Sequence, residues 1–241
     1  MHIEILTLFP EMFQGPLSES LIKKARDKKL LEINVINLRD FTTDKHKTAD
    51  DSPYGGGAGM VMKVDVISNA LSRFTIHDSR VILMCPTGKV LTQEKAKSLA
   101  SEEKLVILCG HYEGYDERIR SFVDEEISIG DYVLTGGELP AMVLIDTVAR
   151  HIPGVVKEAD SVANDSFSGG LLDYPCYTRP EEFNGEKVPE TLLSGHHLEI
   201  EKWRRKEALR KTFYQRPDLL AKAELSEEDK KVLGGILINE K

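Results

Sequence analysis

The sequence predicts an α/β fold with a mostly parallel sheet, followed by a small all-α C-terminal domain. Over the first 150 residues, short apolar runs rich in β-branched residues alternate with amphipathic segments. Alternating strands and helices are typical of a parallel sheet covered by helices. The alternation stops near residue 152, and the end of the chain shows helical periodicity only.

Each element follows from this alternation in turn. Strands are predicted at 2–9, 31–38, 80–85, 104–109 and 126–129, and helices at 17–28, 63–74, 92–101, 115–122, 138–151, 196–214 and 226–238. Thr92 is a suitable N-cap for the helix that follows it, and Pro140 falls in a first helical turn, where its missing N–H does no harm. The segment from 152 to 191 is rich in Gly, Pro, Asp and Ser and shows no period. We therefore expect domains at 1–155 and 176–241, joined by a linker or functional loop at 156–175.

Composition and charge argue against several classes of protein. The 241 residues are 41% hydrophobic, which suffices for a buried core. The formal net charge of −8 argues against a nucleic-acid partner for the chain as a whole. No apolar run approaches the roughly 20 residues that span a bilayer, and no signal-peptide pattern is present, so we expect a cytoplasmic protein. The three cysteines lack CxxC spacing, which indicates neither a disulfide framework nor a zinc cluster.

Glycine-containing motifs follow three of the predicted strands, at 85–88, 110–114 and 130–137. The carboxyl ends of parallel strands meet at one edge of the sheet, where ligands bind in such folds. Each motif alone could be an ordinary turn, but three strand ends that carry glycine together predict a pocket. Neither GxGxxG after the first strand nor GxxxxGK[ST] is present, so the pocket suits a phosphate-poor nucleoside such as S-adenosylmethionine. The residues alone do not select that ligand.

Two further groups of residues could carry function. Asp165 lies in a segment at 165–180 that contains aromatics, a second aspartate and an arginine, but it could also cap a turn. Arg150 ends a predicted helix, where a cation is favoured in any case. Between 196 and 222, eight Lys or Arg accompany four Asp or Glu, a local charge of +4. With Trp203 among them, this segment could bind RNA, or it could be a solvated helix face with Trp203 in a small core.

Seven motifs along the chain carry a resemblance to a known family. They are IEILTLFPEMF at the start, DDSPYGGGAGMVM at 50–62, CPTGK at 85–89, GHYEGYDERI at 110–119, SIGDYVLTGGELPAM at 128–142, DSFSGGLLDYPCYTRP at 165–180 and SGHHLEIEKWRR at 194–205. With these motifs the chain resembles the bacterial tRNA (guanine-N1)-methyltransferases, the TrmD branch of the SPOUT methyltransferases, over nearly its whole length. It departs from them at Cys85, His111 and Cys176, where family members often carry Ser, Arg and His.

The resemblance implies an enzyme with a defined substrate. It would transfer a methyl group from S-adenosylmethionine to nitrogen 1 of the guanosine immediately 3′ of the anticodon, at tRNA position 37, which forms 1-methylguanosine. The resemblance also implies a homodimer with the active site at the subunit interface, and a trefoil knot that holds the cofactor. Family members are associated with Mg²⁺, for which this sequence predicts no six-oxygen site.

The same resemblance implies roles for individual residues. Asp165 matches the general base that removes the proton of guanine nitrogen 1, and Arg150 matches the guanidinium that stabilises the resulting charge. The positions that match the cofactor-binding set are Pro86, Gly88, Gly110, Tyr112, Glu113, Ile129, Gly130, Asp131, Tyr132, Val133, Leu134, Gly136, Gly137 and Pro140. The positions that match the tRNA-binding set are Asp51, Tyr54, Gly55, His196, Lys202, Trp203, Arg204 and Arg205.

Two other classes of protein stay open from the residues alone. A non-catalytic RNA-binding module would account for the basic tail but not for the glycine-lined pocket. A doubly wound nucleotide-dependent enzyme would account for the pocket, but it would require the missing phosphate motifs and would have no need of the tail. Binding of S-adenosylmethionine distinguishes these classes from a methyltransferase.

Overall fold

Two units make up the chain in the computed structural model, residues 1–157 and 158–241. The structure describes residues 1–74, 79–157 and 165–238. Residues 158–164, which belong to the predicted linker 156–175, lie outside the described residues. The linker role of that segment stays a prediction.

A five-stranded parallel sheet forms the centre of the first unit and confirms the predicted fold class for this part. Its strands are β1 (His2–Thr7), β2 (Glu32–Asn37), β5 (Ser79–Val90), β6 (Lys104–Cys109) and β7 (Glu125–Ser128). They pair in the order β2-β1-β6-β5-β7, and every pairing is parallel. The carboxyl ends of β5, β6 and β7 therefore lie side by side.

Helices cover both faces of this sheet. They are α1 (Ser20–Asp27), α2 (Val64–Phe74), α3 (Gln93–Leu99) and α4 (Glu138–Ala149). The central strand β6 shows why two layers are needed, since its side chains alternate between two apolar clusters. Leu105 and Ile107 pack in the cluster that contains α1, α3 and α4, whereas Val106 and Leu108 pack in the cluster that contains α2. The predicted N-cap is confirmed, because the Thr92 hydroxyl accepts from the Lys95 N–H at 3.2 Å.

Short elements fill the connections of the first unit. Among its described residues, four 3₁₀ helices lie at Pro10–Phe13, Pro16–Ser18, Leu38–Phe41 and Glu117–Phe122. The last of them replaces the short helix predicted at 115–122. Within the long polar connection, β3 (Asp50–Asp51) pairs antiparallel with β4 (Val61–Met62). Residues 52–60 therefore form the loop that connects the two strands of this hairpin.

Strand β5 is longer than predicted. The sequence predicts a strand that ends at residue 85, but β5 continues to Val90. Its register against β7 shifts between Met84 and Lys89. Pro86, which has no N–H for a ladder, lies inside this irregularity, as expected of a proline within a strand.

The second unit is mainly helical in the residues that the structure describes. Its helices are α5 (Glu190–Leu193), α6 (His197–Gln215), α7 (Pro217–Leu220) and α8 (Glu227–Ile238). It also contains a hairpin of β8 (Glu182–Phe183) and β9 (Glu186–Lys187), which the all-α prediction did not include. None of the helices in the described ranges combines the length and apolar character needed to cross a bilayer.

Candidate active site

A cavity of about 340 Å³ lies at the carboxyl ends of β5, β6 and β7. Its size falls within the usual range of pockets for small ligands. The residues that line it are Met84, Cys85, Pro86, Gly110, His111, Tyr112, Glu113, Gly114, Tyr115, Glu117, Arg120, Ile127, Ser128, Ile129, Gly130, Tyr132, Val133, Leu134, Thr135, Gly136, Gly137 and Pro140. Two segments supply most of this lining, and we call them the first loop (residues 110–114) and the second loop (residues 130–137).

Most of the residues assigned to the cofactor lie around this one cavity. The set comprises Pro86, Gly110, Tyr112, Glu113, Ile129, Gly130, Tyr132, Val133, Leu134, Gly136, Gly137 and Pro140. Gly88 and Asp131 are not in the lining. A Cβ on Gly88 would lie 2.5 Å from the backbone carbon of Glu126, so this glycine permits close approach of two strands.

The two loops are bound to each other by main chain. The Gly137 N–H donates to the Gly110 carbonyl at 2.7 Å, and His111 forms an isolated antiparallel bridge with Gly136. A Cβ on Gly137 would lie 2.8 Å from the Cα of Cys109. Because glycine has no Cβ, the second loop can approach the end of β6 closely enough to close the cavity.

A buried carboxylate supports the contact between the loops. Glu138, the first residue of α4, is 1% exposed, and its Oε1 accepts from the hydroxyl of Thr7 at 2.7 Å. A carboxylate in the first turn of a helix is favoured by the helix dipole. The Nδ1 atom of His111 lies 3.6 Å from the other oxygen, Oε2. Burial, with a smaller effect of the Glu138 charge, raises the pKa of the Cys109 thiol well above its usual value. Cys109 is thus an unreactive residue of the core.

One polar wall of the cavity was not assigned in the sequence. The Tyr115 hydroxyl donates to the Cys85 sulfur at 2.9 Å, and burial together with this bond raises the pKa of the Tyr115 phenol. Arg120 forms ion pairs with Glu117, at 2.6 Å, and with Glu126. These bonds raise the pKa of the Arg120 guanidinium, which therefore stays charged beside the ligand space. The sequence did contain a signal for this wall, namely the run of acidic and basic residues that directly follows the first loop.

The loop at 52–60, which we call the arm, begins beside the cavity. Asp51 pairs with Val61 at its base, and the first loop is bonded to the same hairpin, since the Met62 N–H donates to the Gly114 carbonyl at 3.0 Å. Tyr54 is fully exposed on the arm, and Gly55 beside it has a positive φ. The structure thus brings the base of the arm to the cavity and directs Tyr54 into solvent.

The two predicted catalytic residues lie in different units. Arg150 is the C-cap residue of α4 in the first unit. Asp165 is the first described residue of the second unit, where its carbonyl accepts from the Ser168 N–H at 3.1 Å in a tight turn. Both side chains are partly exposed.

Helix α6 carries the remaining predicted residues. His196 is its N-cap, Lys202 pairs with Glu199 at 3.1 Å, and the Trp203 ring lies 6.3 Å from the Tyr177 ring. The Arg204 guanidinium lies 4.9 Å from the centre of the Tyr174 ring, in cation–π geometry. Arg205 is different, because both of its bonds go to the carboxylate of Asp229, at 2.9 and 2.8 Å. The bond from Arg205 lowers the pKa of Asp229 to about 2, so this pair stabilises the unit itself.

Comparison with known proteins identifies the family. The family model for tRNA (guanine-1)-methyltransferase TrmD matches residues 1–222. The chain belongs to the tRNA (guanine-1)-methyltransferase TrmD family. Curated relatives named tRNA (guanine-N(1)-)-methyltransferase include one from Pelotomaculum thermopropionicum, 57% identical over 98% of this chain and 96% of the relative. Another, from Desulforamulus reducens, is 58% identical over 97% and 94%. A third, from Dictyoglomus turgidum, is 55% identical over 97% and 95%.

Membership of the TrmD family confirms the resemblance and the methyltransferase class. A non-catalytic module and a doubly wound nucleotide-dependent enzyme are thereby excluded as the class of this chain. Both loops lie within the matched region.

A second and larger cavity does not compete for the active site of this TrmD family member. It measures about 680 Å³ and lies beside the amino ends of β1 and β2, with Met1, Lys23 and Asn34 in its wall. Ligands of parallel sheets bind at the carboxyl ends of the strands, which is the opposite edge. None of the residues assigned to cofactor or tRNA lines this cavity.

No metal site accompanies the cavity in the described parts of the chain. Within residues 1–74, 79–157 and 165–238, no three His, Cys, Asp or Glu side chains group in a way that could hold a metal ion. Magnesium prefers several oxygen ligands in octahedral geometry. The described residues therefore do not fit the predicted ion, and we assign it no role in the reaction.

Proposed function

We propose that this chain transfers a methyl group from S-adenosylmethionine to nitrogen 1 of the guanosine immediately 3′ of the anticodon, at tRNA position 37. The observation that carries the proposal is the cavity enclosed by the first and second loops, in a chain of the TrmD family. The product is 1-methylguanosine.

The cavity suits S-adenosylmethionine in size and in polarity. Its volume of about 340 Å³ accommodates a nucleoside, and its walls expose main-chain groups of five glycines that can bond an adenine and a ribose. Glu113 supplies a carboxylate at the rim, where it complements the positively charged methionine portion of the cofactor. Val133 and Leu134 supply apolar surface for the adenine ring.

The reaction needs a base and a stabilising cation. Nitrogen 1 of guanine carries a proton, and it becomes a good nucleophile when a base removes that proton. In the proposed step, the nitrogen forms a bond to the methyl carbon while the bond from that carbon to sulfur breaks, and the proton passes to the Asp165 carboxylate. The Arg150 guanidinium stabilises the negative charge that develops on the guanine carbonyl oxygen. The second product is S-adenosylhomocysteine.

The arm and helix α6 are proposed to hold the tRNA. A guanosine inside an anticodon loop must turn out of its stack to meet the methyl group. The arm fits this task because it starts at the cavity and presents the exposed Tyr54 ring beside a run of glycines with positive φ. On α6, the exposed cations Lys202 and Arg204 suit phosphate contacts, with Trp203 as a stacking group. Arg205 is proposed to act through its pair with Asp229, by fixing α6.

The homodimer is part of the proposal. Helix α4 has a buried inner face, and on its outer face Leu139 and Val143, one turn apart, are 48% and 45% exposed. Adjacent exposed apolar side chains of this kind suit packing against a partner. Because Pro140 of the same helix lines the cavity, a partner on this face would complete the active site at the subunit interface. We also propose that the bonded first and second loops belong to the trefoil knot typical of the family.

Methylation assays of Asp165→Ala test the function and its base together. With S-adenosylmethionine and a tRNA transcript, we expect transfer to fall roughly 1000-fold, because general-base catalysis contributes on that scale. Cofactor affinity, measured by calorimetry, should stay at the level of the unchanged protein. The matched control is Glu186→Ala, an exposed carboxylate of the same unit with no assigned role.

A second substrate separates the outcomes. A transcript in which the guanosine 3′ of the anticodon is replaced by adenosine should receive no methyl group from the unchanged protein. Methylation of that transcript would contradict the proposed position. Near-normal turnover by Asp165→Ala would contradict the assignment of the base while leaving the reaction intact.

A further inference from the structure

Glu138 and His111 lie at the contact between the two cavity loops, and neither belongs to the proposed catalytic groups. Glu138 directly follows the second loop, and His111 is part of the first loop. Oε2 of Glu138 and Nδ1 of His111 are both buried, and neither has a hydrogen-bond partner among the described residues. They face each other at 3.6 Å, just outside hydrogen-bond distance.

The two unpartnered atoms would be stabilised if they moved close enough to form a hydrogen bond with each other. A buried polar atom without a partner is unfavourable, and the effect is larger for a charged group. If the two side chains approach by less than 1 Å, the imidazole N–H donates to the carboxylate and both atoms are satisfied. The other carboxylate oxygen is already fixed by Thr7 at the end of β1, so the approach moves the loops and not the strand.

The space between the loops permits this approach. Gly136 lies between the two side chains, and a Cβ at this position would collide with both Oε2 of Glu138 and Nδ1 of His111. The His111 ring is held on its other sides by the rings of Phe9, at 4.3 Å, and Tyr112, at 5.0 Å. These contacts orient the ring so that Nδ1 points towards the carboxylate.

We propose that His111 and Glu138 form a latch that closes when the cofactor binds, and that Glu138 is a positioning residue for S-adenosylmethionine. His111 and the second loop both line the cavity, so a ligand that contacts both draws them together. The closed latch stabilises the bound state in return, because the hydrogen bond forms only there. This inference rests on the proposed cofactor site.

The groups around the latch come from four elements. Thr7 and Phe9 approach from the end of β1, Tyr112 from the first loop, Gly136 from the second loop, and Cys109 from β6. The titratable groups among these neighbours are the Tyr112 phenol and the Cys109 thiol. The pair can therefore be tested by removing one member at a time.

A double-mutant cycle in cofactor affinity tests the latch. The variants are His111→Phe, which keeps an aromatic ring, Glu138→Met, and the two combined. We expect each single variant to bind S-adenosylmethionine about tenfold more weakly, because a charge-assisted hydrogen bond is lost, and the combined variant to bind no more weakly than either. Turnover at saturating cofactor should stay close to that of the unchanged protein. Glu138→Gln should recover part of the affinity that Glu138→Met loses, since its amide oxygen can still accept from one of the two donors.

The outcomes are distinct from those of the proposed function. No binding by the unchanged protein would contradict the cofactor site itself. Normal cofactor binding with unchanged affinity in the variants, or losses that multiply in the combined variant, would overturn the latch alone. Glu186→Gln, which changes an exposed carboxylate of the second unit with no assigned role, is the control and should leave cofactor affinity unchanged.

If Glu138→Met does not fold, the latch can still be tested by ¹⁵N NMR of the histidine rings in the unchanged protein, with and without cofactor. The chain has seven histidines, and the His111 signals are those missing from the His111→Phe spectrum. Addition of S-adenosylmethionine should move the Nδ1 signal of His111 to the range of a hydrogen-bonded donor. An unchanged signal at saturating cofactor would overturn the latch.

Discussion

Two glycine-rich regions of the first unit use glycine for opposite reasons. In the second loop, Gly136 and Gly137 have backbone angles open to any residue, but a Cβ on either would collide with its neighbours. In the arm, Gly55 and Gly56 have positive φ values of 86° and 78°, yet a Cβ would meet nothing within 4 Å. One region therefore needs the missing side chain for space, and the other needs it for backbone conformation.

This difference bears on what each region does. The second loop is held beside the end of β6 by the bond from the Gly137 N–H to the Gly110 carbonyl, so it suits a wall that shifts by less than 1 Å around a small ligand. The arm makes few contacts at its tip, which suits adaptation to a large and irregular partner. Gly59 combines both demands, since it has a φ of 84° and a Cβ there would lie 2.8 Å from Oε1 of Glu113. Alanine substitutions along the series separate the two demands.

Among these glycines, the largest effect is expected for Gly137→Ala. Its Cβ would lie 2.8 Å from the Cα of Cys109 and 2.9 Å from the Gly110 nitrogen, and backbone cannot move aside as a side chain can. We expect affinity for S-adenosylmethionine to fall about 100-fold, near 3 kcal/mol, which is the upper range for overpacking. Calorimetry measures this, with Gly234→Ala in α8 as the control because a Cβ there meets nothing within 4 Å. Equal affinity of the two variants would remove the distinction between the regions.

Gly136→Ala should have the next largest effect. The new methyl group would lie between His111 and Glu138, whose side-chain ends can give way. We therefore expect a loss in cofactor affinity of about tenfold, smaller than at Gly137. Combining it with His111→Phe should cause little further loss, because the latch is already held open. A loss greater than that of Gly137→Ala would show that side chains resist more than backbone here.

Gly59→Ala should affect both substrates. The positive φ would cost about 1 kcal/mol for alanine, and the methyl group would displace the Glu113 side chain. We expect about a fivefold loss in kcat/KM for tRNA and a smaller loss in cofactor affinity. Steady-state methylation and calorimetry on the same preparation give the two numbers. A change in cofactor affinity alone would place Gly59 with the second loop and not with the arm.

Gly56→Ala should have the smallest effect, and it should change only the interaction with tRNA. Only the backbone conformation opposes it, and an exposed loop can rearrange in part. We expect KM for tRNA to rise about threefold, below the full cost of a left-handed alanine. Affinity for S-adenosylmethionine should stay unchanged, as measured by calorimetry. Weaker cofactor binding in this variant would show that the arm belongs to the cofactor site.

The sequence predicts the site well where the residues concerned directly follow a strand of the parallel sheet. The motifs at 110–114 and 130–137 were expected at strand ends, and the sheet order brings those ends together. Glu138 was not singled out, because its role depends on Thr7, 131 residues away in the chain. The pair of Arg205 with Asp229 is hidden for the same reason, since helical periodicity does not show which helices pack together. Such long-range pairs are tertiary facts and leave no local pattern.

Local rules also mislead in two places. Pro86 and Gly88 predict the end of a strand, but β5 passes through them because its register shifts there. The hairpin of β8 and β9 does have a local signal, the Asn184-Gly185 pair, whose positive φ values of 52° and 84° suit a two-residue turn. The surrounding loop-like composition concealed it.

The central claim is that the first and second loops enclose the cofactor, and a crystal structure of the protein with S-adenosylmethionine tests it most directly. We expect the ligand between Gly110 and the 130–137 segment. Nδ1 of His111 and Oε2 of Glu138 should then lie within hydrogen-bond distance of each other. Ligand density in the larger cavity beside Met1 and Asn34, with the space between the two loops empty, would contradict the account.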